Sequence, residues 1–295
     1  MISILIPTYN YNVLPLAKNL VNRAKKQGLI FELICMDDGS NSVKNKSNND
    51  INSLPNSKFI ERKTNLGRTA TRQALAKEAK YDWLLFLDAD ITPKNDAFIS
   101  QYTAFVSEPY DAIFGGFAYN PEDYKPNKSL RYTFGKNREE VDAHKRNNNK
   151  YKFIISSNFM IKKHVFFKIN ALNLKPAYGM DYVFGHQLSI NKVPILHINN
   201  EVYHLGIDDN INYLKKTNQA LHTLSALHKN NNINDSHISL IKAYSFLKKA
   251  NMLKVFRVLT KPFINQMKKY LLKNKAPNLF IFDLYRLSYF CNITT

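Results

Sequence analysis

Asp88 and Asp90 stand two residues apart at the end of the apolar run Trp83 to Leu87. Two carboxylates at that spacing can reach one divalent cation, directly or through water. Hard cations such as Mg²⁺ and Mn²⁺ take oxygen ligands and share them with substrate phosphates. Alone, Asp-x-Asp after a strand is more often a plain turn exit, where Asp is common. Two further polar clusters also follow apolar runs: Pro7-Thr8-Tyr9-Asn10 and Asp37-Asp38-Gly39-Ser40. The second, by itself, reads as a turn. Arg68 and Arg72 lie one helical turn apart after Asn65-Leu66-Gly67 and can face the same side. A guanidinium fork pairs well with phosphate oxygens, whereas the plain alternative is a solvated basic face. His204 ends the run Val202-Tyr203-His204. Neutral imidazole is a good Mn²⁺ ligand, although a lone strand histidine is more often structural. Strand alternation points His197, seven residues earlier, to the opposite face, so it reads as structural.

The elements that must position these groups follow from periodicity. Ile2 to Ile6, Phe31 to Met36, Lys58 to Glu61, Trp83 to Leu87 and Ala112 to Phe117 read as strands. Leu14 to Lys26, Thr69 to Ala79 and Phe98 to Val106 read as helices, and 41–57 as a loop or frayed helix. This βαβ rhythm predicts an α/β fold with a mainly parallel sheet and helices on both faces. Ligands of such sheets bind beyond the C-terminal strand ends, which is where the three polar clusters fall. Residues 121–152 are polar with few apolar anchors and read as a mobile excursion. Phe153 to Ile161 and Val193 to Leu205 read as strands. Asn212 to His228 and Ile238 to Leu259 read as helices.

Bulk composition narrows the function. The 295 residues suffice for one large domain plus an appendage. Only 9 are Gly, and there is neither a Walker loop nor a GxGxxG run, so phosphate would be handled by metal and basic side chains. Cys35 and Cys291 are in no metal-ligand spacing and read as reduced thiols. The N-terminus lacks a basic leader, and no apolar stretch reaches the ~20 residues that span a bilayer; a cytoplasmic protein is expected. The net charge of +19 is uneven: no Asp or Glu occurs from Ser236 to Phe282, where ten Lys or Arg lie. A basic amphipathic helix in 238–259 fits either a packed helix with a solvated face or peripheral contact with anionic membrane.

The order and spacing of Ile4-Leu5-Ile6-Pro7-Thr8-Tyr9-Asn10, Met36-Asp37-Asp38-Gly39-Ser40, Asn65-Leu66-Gly67-Arg68 and Leu87-Asp88-Ala89-Asp90 resemble the family 2 glycosyltransferases of GT-A fold. The resemblance runs from about Ile2 to Gly206 and points to bacterial members that build surface polysaccharides. It implies a Rossmann-like three-layer sandwich over residues 1–206, with a nucleotide-sugar half, 1–117, and an acceptor half, 118–206. A basic helical extension, 207–295, follows. Pro7, Thr8 and Tyr9 would hold the nucleotide base, and Asp38 would accept from a uracil NH, as an ionised carboxylate can. Asn65, Arg68, Arg72, Asp88 and Ala89 would contact the donor. Asp90 would be the direct ligand of Mn²⁺ or Mg²⁺, with Asp88 and His204 beside it. Ser157 and Asn158 match a small-residue segment near the acceptor. Asp181 matches the general base, and Met180 stands where the family carries Glu, which alters the acceptor contacts.

These roles imply inverting transfer from a nucleotide sugar, with UDP-sugar favoured, to a hydroxyl of a glycan or lipid-linked acceptor. A nucleotidyltransferase acting on sugar phosphates is a rival, but it would carry a basic Gly-rich loop after the first strand. A nucleic-acid-binding protein is suggested by a pI of 9.7, but acidic clusters at the strand ends argue against it.

Overall fold

The computed structural model describes residues 1–170, 177–230 and 238–294. Contacts divide the chain into two compact units. One comprises Met1–Ala118, Val141–Pro176 and Gln187–Leu205; the other comprises Tyr119–Glu140, Ala177–His186 and Gly206–Thr295.

Among the described residues the first unit carries all ten strands: β1 (Ile2–Thr8), β2 (Phe31–Asp37), β3 (Ser57–Glu61), β4 (Trp83–Leu87), β5 (Ile91–Pro93), β6 (Ala112–Phe114), β7 (Phe117–Ala118), β8 (Asn158–Lys162), β9 (Ile195–His197) and β10 (Val202–His204). Seven form one sheet in the order β3-β2-β1-β4-β8-β6-β9, and three form a small sheet, β5-β10-β7. Within the large sheet only β8 runs antiparallel to its neighbours β4 and β6. The sheet is therefore mixed but mainly parallel, as the alternating pattern predicts. β1 and β4 are buried along their whole length, which is why they read as unbroken apolar runs rather than alternating ones.

The crossover from β1 to β2 runs one way along the sheet, and that from β3 to β4 runs the other. With right-handed crossovers, helices Leu14–Lys26 and Arg68–Glu78 then lie on opposite faces. Helix Leu14–Lys26 forms because Leu16, Leu20 and Ala24, with Ala17 and Val21, give one apolar face; all five are buried. Pro15 sits in its first turn, where its missing N–H costs nothing. Gly28, at φ +62°, lets the chain turn away after it. Phe86, Phe159 and Phe114 occupy paired positions on β4, β8 and β6, and their rings stack at 5.2 and 5.5 Å. This ladder is the centre of the core.

Several boundaries differ from the sequence reading. The run 112–117 is two strands, because Gly115 and Gly116 turn the chain out of the large sheet. Gly116 has φ +90°, and a Cβ there would meet the Arg146 guanidinium at 2.8 Å. The strand expected from Phe153 begins only at Asn158, and 193–205 splits into β9 and β10. The helix expected over 238–259 breaks at Asn251, with φ +56°, into Ser239–Lys249 and Leu253–Thr260.

Residues 121–152 are not a loose excursion. They form short helical segments, and two buried arginines, Arg131 and Arg146, hold them to the rest of their units. In the first unit Arg146 donates to the carbonyls of Val141 (2.8 Å), Phe114 (3.2 Å), Gly115 (3.3 Å) and Ile198 (2.7 Å). In the second unit Arg131 donates to Tyr119 Oη (2.7 Å) and Glu139 (3.0 Å), between the rings of Tyr119 and Tyr213. Polar composition misleads here because a buried guanidinium, hydrogen-bonded to carbonyls in one case and stacked between rings beside a carboxylate in the other, replaces an apolar anchor.

The second unit is otherwise helical. Helices Asn210–Lys229, Ile264–Lys273 and Leu279–Ile293 enclose Tyr213, Leu214, Met267, Leu271, Phe282 and Tyr285, with Leu130 packed among them. Among the described residues no helix is long and apolar enough to cross a membrane.

Candidate active site

The strands β1, β2 and β4 are adjacent and parallel, so their C-terminal ends share one edge. The crossovers diverge between β1 and β4, which makes this the point where an open α/β sheet leaves a crevice. A pocket of about 350 Å³ opens there. It is lined by Pro7, Thr8, Tyr9 and Tyr11 after β1; Asp38 after β2; Asn65, Gly67, Arg68 and Thr71 before and on helix Arg68–Glu78; and Asp88, Ala89 and Asp90 after β4. Nine of the candidate site residues, together with Gly67 of the motif before Arg68, thus line one cavity. Tyr11 and Thr71 join them without having carried a signal in the sequence.

Asp37 and Asp38 have separate tasks. Asp37 closes its own turn, accepting from Ser40 N (2.8 Å) and Ser40 Oγ (2.7 Å). Asp38 reaches across to accept from the backbone N–H of Leu66 (3.0 Å) and Gly67 (2.7 Å), with Arg62 at 3.4 Å. Three of about four acceptor positions on the carboxylate are thereby filled. Gly39 permits this close packing: a Cβ would lie 2.4 Å from the carbonyl carbon of Thr64, and φ is +70°.

Arg72 is the buried member of the arginine pair. It donates to Asp88 Oδ1 (2.9 Å) and to Ser156 Oγ (2.9 Å), contacts the Ser156 carbonyl, and lies over the Phe86 and Phe159 rings. Arg68, 44% exposed, faces Asp88 Oδ2 at 3.3 Å. Burial pushes the Asp88 carboxyl up. The charges of Arg68 and Arg72 and a hydrogen bond from Ser157 outweigh that and hold it below the usual range.

Asp90 is in the opposite situation. Burial raises its carboxyl, the nearby His204 lowers it in part, and the charge of Asp88 raises it again. The small sheet brings His204 to it. β5 and β10 pair antiparallel, Leu205 N donates to the Asp90 carbonyl (2.8 Å), and His204 Nε2 lies 3.8 Å from Asp90 Oδ2. His197 is buried elsewhere in the unit, as expected, but because it lies on β9 of the large sheet rather than on the opposite face of the strand that carries His204. Its Nδ1 accepts from Arg146 (3.0 Å), and its Nε2 donates to the Lys150 carbonyl (2.8 Å).

Among the described residues no three His, Cys, Asp or Glu side chains form a ready-made metal cage. Asp90 and His204, with Asp88 one residue removed from Asp90, are a partial donor set. That suits a hard divalent ion that completes its shell with substrate phosphate and water. A cation there would also offset the burial, and the lesser repulsion from Asp88, that keep the Asp90 carboxyl raised.

The expected acceptor residues are placed less simply. Ser157 belongs to the carboxylate site, since its carbonyl accepts from Asp88 N at 3.0 Å. Asn158 is buried and fully engaged. Its amide donates to the carbonyls of Gly116 (3.0 Å) and Asn200 (2.9 Å) and accepts from Tyr102 Oη (2.7 Å). It is a tie within the core rather than a pocket residue. Met180 and Asp181 belong to the second unit, where Asp181 is the first residue of helix Asp181–Ile190.

Residues 3–170, more than half of the chain, match the model described as Glycosyl transferase family 2. An uncharacterized glycosyltransferase of Mycoplasma genitalium is 25% identical over 230 residues, which are 75% of this chain and 71% of that one. Among solved structures, Staphylococcus aureus TarS 1–349 in complex with UDP-GlcNAc is similar with a TM-score of 0.56 at 15% identity, covering 97% of this chain and 90% of that one. The mannosyltransferase PcManGT of Pyrobaculum calidifontis, in complex with GDP-Man and Mn²⁺, gives 0.60 at 11% identity, covering 99% and 86%. Glucosyl-3-phosphoglycerate synthase of Mycobacterium tuberculosis, with Mn²⁺, UDP and glucosyl-3-phosphoglycerate, gives 0.51 at 14%, covering 80% and 81%.

Proposed function

The chain belongs to glycosyl transferase family 2, and from that premise we propose that it transfers a sugar, with inversion, from a nucleotide sugar to a hydroxyl of a glycan or lipid-linked acceptor. UDP-sugar is the favoured donor. The observation that carries this reading is the single cavity at the ends of β1, β2 and β4 that gathers an apolar and aromatic rim, an arginine and three carboxylates. Two of the structurally similar enzymes hold a uridine nucleotide, and two hold Mn²⁺.

The base would lie against Pro7, Thr8 and Tyr9, near the remaining acceptor capacity of Asp38. Arg68 would turn from Asp88 to the diphosphate, because a guanidinium fork matches phosphate at least as well as a single carboxylate. Arg72 would stay with Asp88 and keep it ionised. A divalent cation held by Asp90, His204 and Asp88 would supply neutralisation of the charge on the departing diphosphate. Asp181 would accept the proton of the acceptor hydroxyl as its oxygen bonds to the anomeric carbon and the bond to diphosphate breaks. A single in-line displacement inverts that carbon.

The test is a panel of UDP- and GDP-sugars with Mn²⁺, scored by thermal shift and nucleotide release. A shift of several degrees and slow hydrolysis with at least one donor are expected. No response to any of them overturns the reading.

A further inference from the structure

No residue of helix Leu253–Thr260 is buried, yet the helix is rich in apolar side chains. Val255, Val258 and Leu259 are 54%, 66% and 64% exposed; Met252 before them and Phe263 after them are 48% and 54% exposed. Their spacing places them on one side of the helix. The other side is already in use, since Thr260 Oγ1 accepts from Ser288 Oγ at 2.9 Å on helix Leu279–Ile293. Lys254, Arg257 and Lys261 recur at i, i+3 and i+7 and form a basic flank beside the apolar stripe. Helix Ser239–Lys249, the first part of the run 238–259 that the sequence suggests for this purpose, turns Leu240, Ile241, Tyr244 and Leu247 inward.

We propose that the stripe 252–263 docks on an anionic lipid surface. Its apolar side chains would enter the boundary between headgroups and acyl chains, and its basic flank would meet lipid phosphates. Charge selects this occupant. From Ser236 to Phe282 the chain carries ten Lys or Arg and no Asp or Glu, so a second copy would bring the same positive surface and be repelled. Nucleic acid answers the charge but offers no apolar phase for five exposed hydrophobic side chains. An anionic bilayer answers both, and each basic residue near it strengthens binding roughly fivefold. The docking needs no donor or metal, so it stands or falls separately from the catalytic reading.

The full chain is sedimented with phosphatidylcholine vesicles and with vesicles containing about a third phosphatidylglycerol. Retention on the anionic vesicles, weakened at least tenfold by high salt, is expected. V255S/L259S/F263S and K254E/K261E should each lose at least tenfold while keeping the wild-type circular dichroism and melting temperature, since every altered side chain is exposed. Equal retention of the first variant overturns the proposal, as does no retention of the wild type at low salt. Binding to double-stranded DNA in preference to vesicles, or a dimer that the first variant dissolves, also overturns it.

Discussion

Arg72 donates to Asp88 at 2.9 Å from a position 8% exposed, whereas Arg68 faces the other oxygen of the same carboxylate at 3.3 Å and is 44% exposed. The two arginines share a partner but not a task. Arg72→Ala leaves Asp88 without its buried counter-charge and should cost about 3 kcal/mol in urea unfolding. Arg68→Ala should cost under about 1 kcal/mol yet raise the donor KM about tenfold or more. Equal effects of the two on stability would contradict this division.

Asp90 is held in an unfavourable charge state until something positive arrives. Asp90→Asn should leave the metal-free protein as stable as before, or more so, because burial and Asp88 both oppose its charge. The same change should abolish the thermal shift with Mn²⁺ and lower kcat about a hundredfold. Differential scanning with and without Mn²⁺ and chelator reads both.

Asp181→Asn should stop transfer and leave donor affinity within about twofold, measured by calorimetry with the nucleotide sugar. Loss of donor affinity instead would remove Asp181 from its proposed role as base.

His197 gives an acid limb to stability. Its tautomer is fixed, since a guanidinium only donates to Nδ1 and a carbonyl only accepts from Nε2. Burial pushes its pKa from 6.5 down to about 4, and the Arg146 charge adds to this. The native state therefore keeps the imidazole neutral while the unfolded chain protonates it. Stability is full above about pH 6.5 and falls as pH drops toward 4, by about 3 kcal/mol in all. Urea midpoints from pH 7.5 to 4.5 should show that slope, and His197→Gln should flatten it.

The cavity at the ends of β1, β2 and β4 was legible because its residues follow buried strands directly. Thr8, Asp38 and Asp88 end apolar runs, and a parallel sheet brings such ends to one edge whatever the loops do. The features that were not legible depend on partners distant in sequence. Asn158 looks like any Asn in an Asn-rich chain until Tyr102, Gly116 and Asn200 surround it. Arg131 and Arg146 look like solvated charges until carbonyls and rings enclose them. Gly115 and Gly116 break an apolar run that periodicity joins, because the break is set by the space Arg146 occupies. His204 could be read either way until β5 laid Asp90 beside it.

The carboxylate of Asp38 also fastens Leu66 and Gly67, the two residues before Arg68. The end of β2 and the turn that presents the arginine are therefore one mechanical part. In a mutational scan, Asp38 and Gly39 should behave as a hinge pin and its washer: a change at either loosens both rims of the pocket together. Phenotypes there should not separate into one of base selectivity and one of phosphate grip.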